Sequence, residues 1–281
     1  MHYHKEKNHL VIEIDERIQG MTLLEFFHYL HLSKKTIHLL RQNKDYTDIL
    51  SIKAYEQGRD FVEQESSLDI IYEDDLLCIV NKPSNLIIHP DDKSKKDTLC
   101  NYVSYYYQQT HQDLPIRYLH RLDRDTTGLV MFCKCALLQP YFDALIASKE
   151  IKKTYLAIIQ GHLPKREMTI DLPIGQDRHS KNKMCISKTG KDALTHFKEI
   201  KTKGNYTLVK CQIETGRKHQ IRVHLNHLHH PIVGDFLYGK TSSMIKRMAL
   251  HAYCLEFIHP LSNQPMMIEC PLPFDMEKIL K

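Results

Sequence analysis

A short segment at positions 120–129, HRLDRDTTGL, places two carboxylates and two guanidiniums within five residues, directly before an apolar run. The carboxylates are Asp123 and Asp125, and Gly128 ends the charged segment. A turn needs Gly, Asn or Asp for its backbone conformation, but it does not need two arginines. The segment therefore indicates either a salt-bridged surface loop or a carboxylate that is held ready for chemistry.

Asp123 is the carboxylate that we expect in a cleft, because Leu122 and the apolar strand after Gly128 hold it near the core. A nucleophilic aspartate needs little water around it, and it also needs a cation that keeps it ionised. Arg217 is a candidate for that cation, since Gly216 allows a tight turn that would fix it at the start of a helix. The alternative is that Asp123 caps a turn and that Arg217 is a surface charge, and the pattern alone favours neither.

From Ile70 onward, the hydrophobic pattern predicts short strands with few helices between them. Helices are predicted at 136–149 and at 217–228, where apolar residues recur on one face. Mixed strands without regularly alternating helices predict an α+β catalytic domain rather than a doubly wound one. The predicted strands are 76–80, 128–133, 155–159, 193–200, 206–213 and 250–258.

The N-terminal part of the chain differs from the rest, because its apolar residues recur at helical spacing. Ser33 is a candidate N-cap for the second of two short helices. The polar stretch at 63–67 then divides a small N-terminal domain, 1–65, from a catalytic domain, 66–281. The apolar faces of the two predicted helices are formed by Leu23, Leu24, Phe26, Phe27 and Leu30 and by Ile37, Leu39 and Leu40.

The composition narrows the class of protein. The 281 residues carry a formal net charge of +5, an excess that permits an anionic partner without proving one. The N-terminal segment MHYHKEKNHL lacks the apolar centre of a secretory signal, and the longest apolar runs fall far short of the ~18 residues that span a membrane. Eight cysteines are scattered along the chain and only Cys133 and Cys135 lie close together, which indicates reduced core thiols. We therefore expect a cytoplasmic protein that does not enter a membrane.

Four segments resemble, in order, the motifs of the RluA-type pseudouridine synthases, a group of RNA pseudouridylate synthases. The catalytic motif of that family is similar to HRLDRDTTGLVMF, which begins at His120. A further stretch, MALHAYCLEFIHP at 248–260, is similar to the closing strand of the family. The resemblance covers residues from about 70 to 275, and four ordered motifs are far more specific than one. The other three segments are CIVNKPSNLIIHP at 78–90, KKTYLAIIQG at 152–161 and ETGRKHQIRVHLNHLHHPIVGDFLYG at 214–239.

The resemblance implies a role for each matched residue. Asp123 would be the nucleophile that attacks the uridine at its sugar or at its base, and Arg217 would pair with it. Arg121 would help to extrude the nucleotide, and Tyr155 would stack on the flipped uracil. Further substrate contacts are implied for His120, Lys82, Thr127, His219, Gln220 and Arg222.

The resemblance also implies a fold and a partner. The fold would be the α+β pseudouridine synthase fold, with a mixed, largely antiparallel, bisected sheet and a central cleft. The partner would be RNA, and we expect a monomer with no metal, no redox cofactor and no membrane contact. Many relatives carry an S4-type RNA-binding domain at the N-terminus, and residues 10–60 have its approximate layout, with Gly20 near the first helix. We therefore expect an S4-like domain there, and a small helical cap without RNA contact is the alternative.

Some features depart from the family pattern or invite another interpretation. Asn85 stands where the family commonly has Gly, and we expect it to keep the same turn at positive φ, which Asn tolerates. The lysine-rich stretch at 93–96 is interpreted as a solvated loop, with a phosphate contact as the alternative. Several histidines lie close together and could suggest a metal site, but we interpret them as exposed residues at a helix end. They are His224, His227, His229 and His230.

Two other classes of function remain open at this point. The carboxylates of Asp123 and Asp125 could belong to a glycosidase or nucleosidase that works by acid and base and releases free uracil. The chain could also be a non-catalytic RNA-binding protein. The presence of Asp123, Tyr155 and Arg217 argues against that class, since a pure binder has no use for a buried nucleophile. We expect an RNA pseudouridine synthase that acts on large-subunit ribosomal RNA or on transfer RNA, and the choice of RNA rests on analogy alone.

Overall fold

The computed structural model describes residues 2–13, 21–41, 49–90 and 96–281. The features predicted at Gly20 and at 93–95 lie outside these residues. Within the described part of the chain, no helix is both long and apolar enough to cross a membrane. The described strands form one nine-stranded sheet and two smaller sheets, of three and two strands.

The elements alternate along the chain without a regular repeat. The helices are α1 (Leu23–Tyr29), α2 (Lys34–Arg41), α3 (Leu99–Gln109), α4 (Gln139–Ala147), which follows a 3-10 turn (Ala136–Leu138), α5 (Gln220–His227) and α6 (Phe274–Ile279). The strands are β1 (Tyr3–Glu6), β2 (His9–Glu13), β3 (Ile49–Lys53), β4 (Asp69–Glu73), β5 (Leu77–Lys82), β6 (Thr127–Cys133), β7 (Lys152–Gln160), β8 (Glu167–Asp171), β9 (Ile174–Gln176), β10 (Met184–Ile186), β11 (Leu194–Lys203), β12 (Tyr206–Ile213), β13 (Leu250–Ile258) and β14 (Pro265–Glu269).

The large sheet runs in the order β4-β5-β6-β13-β7-β12-β11-β8, and β14 pairs with β13. All of its strand pairs are antiparallel except β6 with β13. Because β7 occupies one edge of β13, β6 and β14 share the other edge, with β6 at His251 and Ala252 and β14 from Cys254 onward. The sheet is therefore mixed, largely antiparallel and divided into two halves at β13, which confirms the predicted α+β fold.

Gly128 lies where the two halves of the sheet meet. It is a strand residue with φ of +108°, and a Cβ atom there would collide with the backbone of Ala252 in β13. The sequence suggested that Gly128 closes a turn, whereas the structure shows that it allows β6 and β13 to approach. Lys82, Gly128, Ala252 and Tyr155 are paired across four strands. Because Gly128 and Ala252 are small, few side-chain atoms lie on the sheet between Lys82 and Tyr155.

Strand β6 fixes where the charged segment lies. All seven of its residues are buried, because an uninterrupted apolar run covers both faces of a strand. The chain therefore carries Asp123 to the margin of the core before it enters the sheet. Upstream, Asn85 adopts φ of +59°, which confirms the positive φ expected for that turn.

The N-terminal residues form the small sheet β1-β2-β3 together with α1 and α2. The main-chain N–H of Thr36 donates to Oγ of Ser33 over 3.1 Å, so the predicted helix cap is confirmed. Phe26 and Phe27 are buried as predicted, whereas Leu24 lies on the exposed side of α1.

This N-terminal part packs directly against the large sheet. The hydroxyl of Tyr3 lies 3.1 Å from Nε2 of His259, and the main-chain N–H of Lys5 donates to Oδ2 of Asp75 over 2.9 Å. Buried residues from both parts of the chain form one continuous core. The division into domains 1–65 and 66–281 remains a prediction.

Candidate active site

Asp123 lies on a loop that leads into β6. The main-chain N–H of Thr126 donates to the carbonyl of Asp123 over 3.1 Å, which closes a turn. The N–H of Leu86 donates to the carbonyl of Arg124 over 3.2 Å and joins the loop to the turn that follows β5. The side chain of Asp123 is 26% exposed, so its carboxylate lies at the rim of the core and remains accessible.

Lys82 anchors this loop from inside the protein. Its ammonium donates to the carbonyls of Pro83, Leu86 and Arg124, each over 2.8 Å. The residue is fully buried, and this burial lowers the pKa of Lys82 to about 7, against the opposing effect of nearby carboxylates. The implied substrate contact of Lys82 is contradicted, because its three protons already have main-chain acceptors. It positions the loop that carries Asp123.

The cation beside Asp123 is Arg222 on α5. Its Nη1 atom donates to Oδ2 of Asp123 over 2.9 Å. Its Nε and Nη2 atoms donate to the two carboxylate oxygens of Asp235 over 2.7 and 2.9 Å. Burial alone would lower the pKa of Arg222, but the hydrogen bonds and charge of Asp235, together with Asp123, raise it overall. The guanidinium is therefore permanently charged and fixed in orientation.

The predicted pairing of Asp123 with Arg217 is wrong. Nε of Arg217 donates to the carbonyl of Asp192 over 2.8 Å. The sequence predicted a helix from residue 217, but His219 has left-handed backbone angles, with φ of +59°, and α5 begins after it. Arg217 consequently lies before the helix and turns away, while Arg222 lies on the first turn and faces Asp123.

His219 also lies against the carboxylate of Asp123. Its Nε2 atom is 3.8 Å from Oδ2 of Asp123, and its Nδ1 atom is 2.9 Å from the hydroxyl oxygen of Tyr238. Burial lowers the pKa of His219, and the charge of Asp123 opposes that effect. The ring of Tyr238 lies 5.0 Å from the guanidinium carbon of Arg222. The structure thus brings His219 and Arg222, both implied as substrate contacts, to Asp123, and it adds Tyr238.

Tyr155 lies on β7, within reach of the charge of Asp123. Burial raises the pKa of Tyr155, and the charge of Asp123 raises it further. The residue is only 6% exposed, and its partner on β13 is the small residue Ala252. The predicted nucleophile and the predicted stacking residue therefore lie in the same region of the protein.

Two residues that the resemblance implied as substrate contacts have buried side chains with partners inside the protein. The side-chain amide of Gln220 is buried, accepts from the hydroxyl of Thr215 over 2.7 Å and donates to the carbonyl of Leu194 over 3.0 Å. The hydroxyl of Thr127 is buried and lies 2.9 Å from Nδ1 of His251. The structure contradicts a substrate contact for either residue.

The two residues that begin the charged segment face in different directions. Nε2 of His120 accepts from the main-chain N–H of Met131 over 3.3 Å, and burial lowers the pKa of His120 to about 3. The ring of His120 is therefore neutral at pH 7, and its implied substrate contact stays a prediction. Arg121 is exposed and remains available to RNA.

The histidines near the end of α5 do not share one environment. His227 and His229 are exposed as expected. The expectation is wrong for His224, which is buried, with its Nδ1 atom 2.9 Å from the hydroxyl of Thr195 and its Nε2 atom 3.1 Å from the carbonyl of Leu172. Within the residues that the structure describes, no group of three or more His, Cys, Asp or Glu could hold a metal ion.

Comparison with known proteins identifies the class to which this fold and site belong. A family model described as RNA pseudouridylate synthase matches residues 76–227, more than half of the chain. A second model, described as the RluD ribosomal pseudouridine synthase N-terminal domain, matches residues 10–48 and agrees with the S4-like domain expected there. The fold is that of an RNA pseudouridine synthase, an isomerase. The chain belongs to the RNA pseudouridylate synthase family.

Individual relatives agree with this assignment. The chain is 39% identical to the uncharacterised RNA pseudouridine synthase YhcT of Bacillus subtilis, over 78% of this chain and 74% of the relative. It is 38% identical to the ribosomal large subunit pseudouridine synthase D of Nitrosomonas europaea, over 76% of this chain and 64% of the relative. Among solved structures, human RNA pseudouridylate synthase domain containing 1 superposes with a TM-score of 0.63 at 27% identity, over 76% of this chain and 87% of the human one.

Proposed function

We propose that this chain converts uridines of large-subunit ribosomal RNA to pseudouridine, with Asp123 as the nucleophile. The observation that carries the proposal is the carboxylate of Asp123, accessible at the rim of the core and 2.9 Å from Nη1 of Arg222. Relatives from Nitrosomonas europaea and Neisseria meningitidis that are named ribosomal large subunit pseudouridine synthase D support this choice of RNA.

The carboxylate attacks the uridine at C1′ of the ribose or at C6 of the uracil. In the first route, the bond from C1′ to the aspartate oxygen forms as the bond from C1′ to N1 breaks, and uracil leaves as an anion. The base then rotates, its C5 atom attacks C1′, and the aspartate is released. In the second route, the aspartate adds to C6, the base detaches and rejoins through C5, and the bond to C6 breaks again. In both routes a proton leaves C5 and N1 gains one, so the product is an isomer of the substrate.

Arg222 serves this chemistry by fixing the position of the proposed nucleophile. The hydrogen bond from Nη1 to Oδ2 of Asp123 holds one carboxylate oxygen in place. Asp235 supports this role, since its two hydrogen bonds prevent Arg222 from turning away.

The nucleotide must leave its stacked position before Asp123 can reach it, which costs a few kcal/mol. Stacking a base on an aromatic ring returns about 1–3 kcal/mol. In this proposal Tyr155 provides that stacking, which its electrostatic interaction with Asp123 supports. Arg121 occupies the space that the nucleotide vacates, and its exposure supports this role. Phosphate attraction alone would hold RNA without opening it.

Exposed cations near the site support RNA as the partner. The hairpin formed by β9 and β10 contacts the site through Met184, whose N–H donates to the hydroxyl of Tyr238 over 2.7 Å. Clustered cations of this kind bind the phosphates of nucleic acids. The exposed cations in and beside this hairpin are Arg178, Lys181, Lys188 and Lys191.

The test is to map pseudouridines by carbodiimide-based primer extension on total RNA from a strain that lacks this protein. The strain is complemented with the wild type, with Asp123→Asn or with Asp125→Asn as the matched control. We expect sites in large-subunit ribosomal RNA to disappear and to return with the wild type and with Asp125→Asn only. If sites disappear from transfer RNA instead, the proposed substrate is wrong and the proposed reaction stands.

An assay with purified protein distinguishes the remaining classes of function. If the protein releases free uracil from ribosomal RNA transcripts, it is a glycosidase or nucleosidase. Binding of the transcripts without any change in the uridines would identify a non-catalytic RNA-binding protein. Retention of pseudouridine formation in Asp123→Asn would refute the nucleophile.

A further inference from the structure

The hydroxyl of Tyr238 joins three segments of the chain at the active site. It accepts a hydrogen bond from the main-chain N–H of Met184 on β10 over 2.7 Å. Its oxygen also lies 2.9 Å from Nδ1 of His219, which precedes α5. Tyr238 itself lies just after Asp235, whose main-chain neighbours fold around its carboxylate. One side-chain oxygen therefore contacts both the hairpin and the histidine beside Asp123.

The positions of the protons in this arrangement follow from counting donors. A tyrosine hydroxyl has one proton, and its oxygen already accepts from the N–H of Met184. Among the described residues, the acceptor within hydrogen-bond distance of that proton is Nδ1 of His219 at 2.9 Å. We therefore assign the hydroxyl proton to this bond and treat Nδ1 as its unprotonated acceptor. A neutral imidazole carries its proton on the other nitrogen. Nε2 of His219 is therefore the protonated atom, and it faces Oδ2 of Asp123 at 3.8 Å.

Two further observations indicate that this orientation is selected. His219 has φ of +59°, a conformation that is uncommon for a residue with a side chain and that concentrates at functional sites. The ring of His219 meets the ring of Tyr238 edge-on, with the ring planes at 85° and the centroids 5.6 Å apart. Burial lowers the pKa of His219, which favours the neutral ring that the proton count requires.

We propose that Tyr238 is a positioning residue that acts through His219. Its hydroxyl fixes the tautomer in which Nε2–H of His219 points at the carboxylate of Asp123. Because the same hydroxyl accepts a hydrogen bond from Met184, the tautomer also depends on the position of the β9–β10 hairpin. The proposal rests on Asp123 as the nucleophile. The N–H dipole at 3.8 Å helps to orient the carboxylate towards the nucleotide, alongside the stronger contact from Arg222.

Tyr238→Phe isolates the hydroxyl, because the ring that lies 5.0 Å from the guanidinium carbon of Arg222 is kept. We expect the single-turnover rate constant for pseudouridine formation to fall about tenfold, because small misplacements of reacting groups are costly. The Kd for RNA should change less than threefold. Tyr253→Phe is the matched control, since that hydroxyl donates to Glu269 over 2.7 Å away from this site, and it should leave the rate unchanged.

A double-mutant cycle distinguishes positioning from a general structural role. If Tyr238 acts through His219, the double variant Tyr238→Phe/His219→Gln is no slower than His219→Gln alone. Rate losses that multiply would overturn the proposal, and so would an unchanged rate in Tyr238→Phe.

The tautomer can be measured directly in the wild type, so the proposal does not depend on whether a variant folds. Long-range 15N–1H spectra of 15N-histidine protein, assigned with His219→Gln, should show protonated Nε2 and unprotonated Nδ1 at pH 7.5. A wild-type ring protonated on Nδ1 alone would refute the proposal. Activity that persists in Asp123→Asn would refute the nucleophile instead, and that result is independent of the tautomer.

Discussion

Arg222 and Asp123 form an ion pair across 99 positions of the sequence, with 2.9 Å between Nη1 and Oδ2. The other side of the guanidinium is bound by Asp235, whose side chain is fully buried, and Arg222 itself is only 8% exposed. The proposed nucleophile therefore meets an arginine whose Nε and Nη2 atoms already donate to a second carboxylate. A guanidinium suits this position because its planar fork serves two carboxylates at once, which an ammonium cannot do with the same geometry.

Arg222→Lys should therefore abolish most of the activity. We expect the single-turnover rate constant to fall about 100-fold or more, since a lysine cannot keep both carboxylates in place. Arg217→Lys is the matched control in the same motif, and it should cost less than about threefold, because that side chain bonds to the carbonyl of Asp192. The reverse ranking would restore Arg217 as the partner of the nucleophile.

Asp235→Asn should lower both stability and rate. Removal of one member of a buried ion pair costs about 3 kcal/mol, because the remaining charge loses its partner. The matched control is Asp275→Asn, whose two-point pair with Arg247 is 43% exposed on the carboxylate side and should cost about 1 kcal/mol or less. Urea denaturation and single-turnover assays measure the two effects, and equal destabilisation by both substitutions would contradict the argument.

Gly128→Ala should prevent the two halves of the sheet from joining. The new methyl group would meet the backbone of Ala252, which cannot move aside as a flexible side chain can, and φ of +108° is unfavourable for alanine. We expect a loss of about 4 kcal/mol or failure to fold. Gly204 also has positive φ, but it has open space around it, so Gly204→Ala should lower the free energy of unfolding by only about 1 kcal/mol. Thermal unfolding of both variants is the measurement.

Stability should fall as the pH drops from 7 to 5.5, in part because of His251. Burial lowers the pKa of His251 to about 4, against an ordinary value near 6.5. Between these values the unfolded chain binds the proton and the folded chain does not, so this contribution is complete above pH 6.5 and is lost as the pH falls towards 4. We expect a loss of about 1 kcal/mol at pH 5.5 from this residue alone.

Urea denaturation at both pH values tests this expectation. His251→Gln should reduce the difference between the two pH values, because it removes the titrating ring. The exposed His227, replaced in the same way, should leave the difference unchanged. A slope that is the same in wild type and His251→Gln would show that other groups cause it.

Features that depend on the local order of residues could be predicted from the sequence. The apolar run before Cys133 predicted a buried strand, as the structure shows. The position of Asp123 ahead of that run predicted a carboxylate near the core and in a cleft, and the structure shows its side chain 26% exposed at the rim of the core. The helix predicted from residue 136 was right, although it begins with a 3-10 turn.

The choice between two arginines of one motif could not be made from spacing. Arg217 and Arg222 are five residues apart, and which of them faces Asp123 depends on the left-handed conformation of His219, which delays the helix. The sequence nevertheless contains a feature that favours Arg222. Arg222 lies between Ile221 and Val223, both buried, and a cation among buried residues requires a buried carboxylate.

Other errors have the same origin in tertiary contacts. Lys82 ends an apolar strand just before Pro83, and nothing local shows that its ammonium turns inward to three carbonyls. Strands β9 and β10 have only three residues each, too few for a periodic pattern, so the hairpin that reaches Tyr238 was not predicted.

The division of the sheet at β13 has a consequence for how the enzyme is made. Asp123 belongs to the half that contains β6, whereas Arg222 and Tyr155 belong to the half that contains β7, and the two halves share a ladder of only two residue pairs between β6 and β13. Neither half carries the complete proposed site by itself, because one holds Asp123 without its cation and the other holds the cation without Asp123. If Asp123 is the nucleophile, activity requires both halves to be joined at β13, so the formation of pseudouridine would report that the sheet is complete.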